Sequence, residues 1–296
     1  MKRLIRQVEL ACILTVLLAV GVCVSVAGAS TRAHAAIIGG RPAADGMFPS
    51  AAFIVDFRGR KAGQCTGTVV APTLVLTAGH CAENMSTGIV NRPSGYRVMT
   101  GSVNWASAQR QISAVTGVLV YEGFARRVDN GDAALLVLAT PTTAPAITLA
   151  TRSDTGELGA GTVATAAGWG MTSFEQGLPT ETLQWADTTL QAPRWCARNA
   201  PPFFVGGELC TITPPSYGVG ACEGDSGGPL IVPGAGGAEF VQVGIAVHVY
   251  GRCSTRRPTV FTRVDRISAW VHTWIEAYKP PPPVTPPPAP APTPAP

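Results

Sequence analysis

The sequence predicts an all-β fold, a sandwich or a barrel, closed by one helix. Three observations carry this. Residues 37–279 break into short runs rich in Val, Ile, Thr and Ala, divided by Gly, Pro, Asn and Ser, which is how all-β domains read. Almost nothing between those runs has helical period. The exception lies at the end, where Ile267, Trp270, Val271, Trp274, Ile275 and Tyr278 recur at the spacing of one helix face. In chain order the clearest strands are 51–55, 67–70, 74–77, 96–100, 133–138, 162–167 and 241–247, and Asp265 is placed to cap the helix that follows. A single domain of this length is ordinary for such folds.

Both ends of the 296-residue chain read differently. Lys2, Arg3 and Arg6 precede an uncharged stretch from Ala11 to Ala29, the pattern of a secretory signal peptide. Small-x-small exits occur at Ala27-Gly28-Ala29 and Ala33-His34-Ala35; the first lies at the usual distance, giving a signal over 1–29 and a pro-segment over 30–36. An uncleaved anchor is the alternative. From Pro280 the chain is almost wholly Pro, Ala and Thr, a polyproline II tail over 280–296 with no core to bury. Removing the four Lys/Arg and one acid of residues 1–36 from 22 and 18 leaves 18 and 17, a net charge of +1 for residues 37–296. A near-neutral secreted domain gives no electrostatic case for nucleic acid or membrane as partner. Of eight cysteines, Cys12 and Cys23 lie in the leader and six beyond it. An even count in an exported chain reads as disulfides, with 15 pairings open. No zinc-type spacing occurs, so no metal or cofactor is expected.

Chemistry is concentrated in Gly224-Asp225-Ser226-Gly227-Gly228-Pro229. Glycines let such a turn aim successive N–H groups at one point, as a developing oxyanion requires. A serine there needs a base and an orienting acid. His80, in Thr77-Ala78-Gly79-His80-Cys81, is the base candidate among four histidines. Asp132 opens the apolar run Ala133–Leu138, where an unpaired charge would cost several kcal/mol. Asp129 is the competitor, set beside the turn at Asn130-Gly131.

With Ile37-Ile38-Gly39-Gly40 and Gly168-Trp169-Gly170, these motifs resemble the chymotrypsin-like, trypsin-type serine proteases, in the family's order His, Asp, Ser and over residues 37 to about 278. The resemblance implies two six-stranded antiparallel β-barrels with a C-terminal α-helix, and a serine endopeptidase domain over 37–279. It implies catalysis by His80, Asp132 and Ser226, and an oxyanion hole from the N–H groups of Gly224 and Ser226. It also implies disulfides Cys65–Cys81, Cys196–Cys210 and Cys222–Cys253, and a zymogen activated when a new Ile37 amine pairs with Asp225. Partners would be protein or peptide substrates and a proteinaceous inhibitor, acting on a monomer.

Specificity is argued from three positions. Gly220, six residues before Ser226, stands where trypsin-type members carry a basal aspartate, so preference for Arg or Lys loses its basis. The segment 257–264 looks like pancreatic elastase. An ungapped match puts Val249 and Thr259 where wide-pocket members have glycines, which implies small residues such as Ala or Val before the scissile bond. The activating bond follows Ala35-Ala36, so self-processing is expected. Val247 stands where the family usually has a serine contacting the triad aspartate, and His248 where it has an aromatic residue. That departure leaves a catalytically silent binding module as the second reading. The segment 101–115 has no acid, so the calcium loop of some relatives has no ligands here.

Overall fold

The computed structural model describes residues 37–58, 61–124, 131–153, 158–175, 177, 179–234 and 240–279. The signal, pro-segment and tail assignments and Asp129 lie outside these.

Twelve strands form two closed barrels. The first barrel uses β1 (Ala51–Arg58), β2 (Lys61–Ala71), β3 (Leu74–Thr77), β4 (Tyr96–Thr100), β5 (Gln111–Val120) and β6 (Ala134–Leu138). The second uses β7 (Val163–Gly168), β8 (Gln184–Leu190), β9 (Glu208–Ile212), β10 (Pro229–Pro233), β11 (Phe240–His248) and β12 (Thr259–Arg263). The first closes in the order β1-β2-β3-β6-β5-β4, and the second in the corresponding order β7-β8-β9-β12-β11-β10, every pairing antiparallel. Closure removes the unpaired edges that an open sheet of this length would expose. These are the two six-stranded barrels the resemblance implies.

Each barrel is filled by its inward apolar residues. Ile54, Val69, Val75, Tyr96, Val98 and Leu136 pack in the first, and Leu190, Leu209, Leu230, Ile245 and Phe261 in the larger cluster that continues into the second. Strands β3 and β6 are buried at every position; they sit side by side, with Thr77 opposite Ala134. Their ends carry His80 and Asp132, so the burial of two central strands fixes where both side chains emerge.

Two α-helices are present among the described residues, α1 (Pro193–Asn199) and α2 (Val264–Ala277). The sequence reading placed Asp265 as the cap of α2. The structure corrects this: Arg263 is the N-cap residue and makes no side-chain cap bond. Asp265 lies inside the first turn, fully buried, and accepts Arg263 Nε at 2.8 Å and Arg263 Nη2 at 3.0 Å. A negative charge in a first turn also faces the positive end of the helix dipole. No helix among the described residues is long and apolar enough to cross a membrane.

Three disulfides join Cys65 to Cys81, Cys196 to Cys210 and Cys222 to Cys253. These are the pairings the resemblance implies.

Candidate active site

His80 sits in the single 3₁₀ turn Gly79–Cys81 that leaves β3. Its ring Nδ1 lies 2.7 Å from Asp132 Oδ2, and its backbone N–H donates to Asp132 Oδ1 at 2.8 Å. One carboxylate therefore grips both the ring and the main chain of the same residue. The Asp132 side chain is 1% exposed, while that of His80 is 24% exposed: the acid is sealed behind the imidazole, which still reaches solvent. Thr262 Oγ1 donates to the Asp132 carbonyl at 3.1 Å, pinning the acid from the second barrel. Gly79 lies against this pair, since a Cβ there would stand 3.0 Å from Asp132 Oδ1 and 2.9 Å from the Phe124 ring.

The serine turn belongs to the second barrel, just before β10, yet the first barrel holds it. Thr66 N–H donates to the Ser226 carbonyl at 2.8 Å, and Thr66 Oγ1 to the Gly224 carbonyl at 2.9 Å. Gly227 has φ +83° and almost no room: a Cβ would fall 2.1 Å from Thr77 Oγ1 and 2.2 Å from the Thr66 carbonyl. Only glycine combines that conformation with that approach. Ser226 and His80 then wall one cavity of about 360 Å³, together with the Cys65–Cys81 bridge and Gln64. The N–H groups of Gly224 and Ser226 donate to no backbone carbonyl among the described residues.

Asp225 points the other way, into the protein. Gly170 N–H donates to its Oδ1 at 2.9 Å and Cys222 N–H to its Oδ2 at 2.9 Å. Gly168 and Gly170 make room for it, since a Cβ on either would collide with the carboxylate. Burial pushes the Asp225 carboxyl up to about 7, and the two N–H donors only partly offset this. Ile37, at the start of the described residues, is 1% exposed. Its neighbour Ile38 exchanges backbone hydrogen bonds with Gly220 at 2.9 and 3.2 Å.

Ser226 borders a second, smaller cavity of about 60 Å³, walled by Ala221, Cys222, Ala246, Val247, Val249 and Thr259. Val249 and Thr259 are in that wall. Gly220 is not: its main chain is engaged with Ile38, and Thr255 packs over its Cα. Val247 falls at the irregularity in the β11–β12 register between Ala246 and His248. Sequence reasoning missed Gln64, Thr66, Thr77 and Thr262. The Thr66 hydroxyl finds its partner 158 residues away, and a buried threonine in a strand looks like any other β-branched residue. Among the described residues, no group of His, Cys, Asp and Glu is arranged to hold a metal ion.

Comparison with known proteins agrees with this architecture. The family model described as Trypsin matches residues 37–271. Serine protease SP24D of Anopheles gambiae is 30% identical over 244 residues, covering 82% of this chain and 83% of that protein. A trypsin of Saccharopolyspora erythraea is 30% identical over 200 residues, covering 68% of this chain and 82% of its own length. Trypsin alpha-4 of Lucilia cuprina is 28% identical over 209 residues. With two closed barrels and a match across most of its length, the chain belongs to the trypsin family and is a serine-type endopeptidase.

Proposed function

We propose that the protein is a secreted endopeptidase that cleaves after small aliphatic residues through an acyl-enzyme formed on Ser226. The paired contacts between His80 and Asp132, with Ser226 in the same cavity, are the observation that carries this reading. In the first step Ser226 Oγ adds to the peptide carbonyl while His80 takes its proton. Asp132 fixes the ring tautomer and faces the imidazolium that forms. The N–H groups of Gly224 and Ser226 receive the oxyanion, where losing one donor costs about 3 kcal/mol. His80 then delivers its proton to the leaving amine, the C–N bond breaks, and water repeats the sequence to release the acid.

The preference for Ala or Val rests on size. A dry cavity of about 150 Å³ is what a benzene ring occupies; the cavity beside Ser226 is about 60 Å³. Val249 and Thr259 supply the side chains that close it. Val247 has no hydroxyl to donate, and His80 grips the Asp132 carboxylate through both its backbone N–H and its ring Nδ1. We further propose that cleavage between Ala36 and Ile37 activates the zymogen by giving Asp225 an ammonium partner, and that the mature enzyme acts as a monomer.

The test is a peptide library cut by Ile37-initiated protein, with the residue before each cleaved bond determined. Cleavage after Ala and Val, rising with pH as an imidazole of reference pKa about 6.5 loses its proton, is the expected result. Lack of covalent reaction at Ser226 with a phosphonylating reagent would remove the mechanism. Cleavage after Phe or Arg would remove the pocket assignment alone.

A further inference from the structure

The chemistry divides the cleft into two sides. His80 returns a proton to the leaving amine, so residues after the scissile bond belong in the cavity walled by His80, Gln64 and the Cys65–Cys81 bridge. Residues before it must run over the opposite wall, where Val247, His248 and Val249 flank the small cavity.

That second wall continues outward as a layered stack. The His248 ring meets Tyr250 edge-on, with centroids 4.4 Å apart, and the Arg257 guanidinium carbon lies 5.0 Å from the centre of the Tyr250 ring. Arg252 and Arg256 sit likewise 5.2 Å from the Phe174 ring and 5.9 Å from the Tyr217 ring. All three arginines are exposed, and the segment 248–258 contains no carboxylate. The Ser173 hydroxyl, with Arg252 assisting, holds the Glu175 carboxyl below the usual range, so that acid is ionised and offsets part of the Arg252 charge, one carboxylate against three arginines. Glu223 borders both cavities rather than the stack. A guanidinium laid against a ring keeps its N–H edge outward, in the geometry that grips a carboxylate. The Cys222–Cys253 bridge ties the segment to the serine turn, so the cations are held in place before substrate arrives.

We propose that this rim selects substrates with an acidic side chain two to four residues before the scissile bond, making acidic peptide segments that end in a small residue the substrate class. An extended chain advances about 3.3 Å per residue, so such a side chain lies roughly 7 to 13 Å from the bond, over the Tyr250–Arg257 stack. The proposal rests on the peptidase reading above.

Three reporter peptides decide it, identical except for Glu, Gln or Lys three residues before a bond that follows Ala. With the wild-type Ile37-initiated protein, kcat/KM should fall in the order Glu, Gln, Lys. The extremes should differ about five- to tenfold, given the strength of exposed charge-assisted contacts, and the spread should shrink to about twofold in 1 M salt. The double variant Arg252→Glu, Arg257→Glu should invert the order. Equal rates for the three peptides, or fastest cleavage of the Lys peptide, overturn the rim while leaving the peptidase reading intact. Failure to cut any of them, with no labelling of Ser226, overturns both. The wild-type series decides by itself if the double variant does not fold.

Discussion

The buried carboxylate of Asp225 makes the proposed pairing with the Ile37 amine measurable. While Ala36 and Ile37 are joined, the Ile37 nitrogen is an uncharged amide, and burial pushes the Asp225 carboxyl up to about 7. A carboxyl with a raised folded pKa holds its proton in the folded state after the unfolded chain has lost it. Its stabilising contribution is therefore full below pH 3.8, falls between 3.8 and 7, and is lost above 7. About three units at 1.36 kcal/mol each amount to roughly 4 kcal/mol at pH 8. Cleavage converts the nitrogen into an ammonium able to pair with the acid. Asp225→Asn should then have opposite signs in the two forms. In uncleaved protein, kept so by Ser226→Ala, it removes about 4 kcal/mol of ionisation cost. It adds about 1 to 3 kcal/mol because Gly170 or Cys222 loses its acceptor, so the net effect is stabilising. In Ile37-initiated protein it strands a buried ammonium and destabilises by about 3 to 5 kcal/mol. Urea unfolding at pH 8 of both forms, with and without Asp225→Asn, reads the four stabilities. If the substitution moves both forms in the same direction, the Ile37 amine is not the partner of Asp225.

Three further outcomes follow. Opening the small cavity with Val249→Gly and Thr259→Gly should raise kcat/KM for a Phe peptide relative to its Ala counterpart by at least about tenfold, since each buried methylene carries about 0.8 kcal/mol; an unchanged ratio would show that these side chains do not close the pocket. Arg263→Ala leaves Asp265 buried with only Arg266 at 3.4 Å. It should cost about 3 kcal/mol and, for a domain of this size, lower Tm by roughly 6 to 12 °C, read by calorimetry at neutral pH. Self-processing sets pocket against rim, because Ala36 suits the small cavity whereas Ala33, His34 and Ala35 offer the cationic stack no carboxylate, and Arg32 follows just beyond them. Self-cleavage at Ala36–Ile37 is therefore expected to be slow and accelerated by salt; a secreted Ser226→Ala protein that still begins at Ile37 would show that another protease does the cutting.

What could be read in advance follows the physics of each element. Leu74–Thr77 and Tyr96–Thr100 carry runs of apolar and β-branched residues between turn residues, and both strands fall where the sequence places them. Gln184–Leu190 does not announce itself, because its buried face includes Gln184 and Thr188, so the apolar alternation is absent. Pro229–Pro233 is a five-residue strand bracketed by prolines, which reads as loop. Helix α1 has seven residues and one buried position, Cys196; tertiary contact and the disulfide hold it, and no periodicity can show in one turn or two. At the site, His80, Asp132 and Ser226 stand out because each breaks a local rule: a charge opening a buried strand, a histidine ending one, a serine in a glycine turn. Gly220 was placed by the resemblance and its distance to Ser226, neither of which shows that its main chain exchanges hydrogen bonds with Ile38.

The grip of Thr66 on the serine turn has a mechanical consequence. Ser226 is covalently part of the second barrel, but both carbonyls flanking Asp225 are fastened to β2 of the first, the barrel that carries His80. If the two barrels rock against each other, the compliance must be taken up elsewhere along the seam, because the nucleophile travels with its base. On the proposed mechanism, these two bonds would hold Ser226 in step with His80 under any such inter-barrel motion.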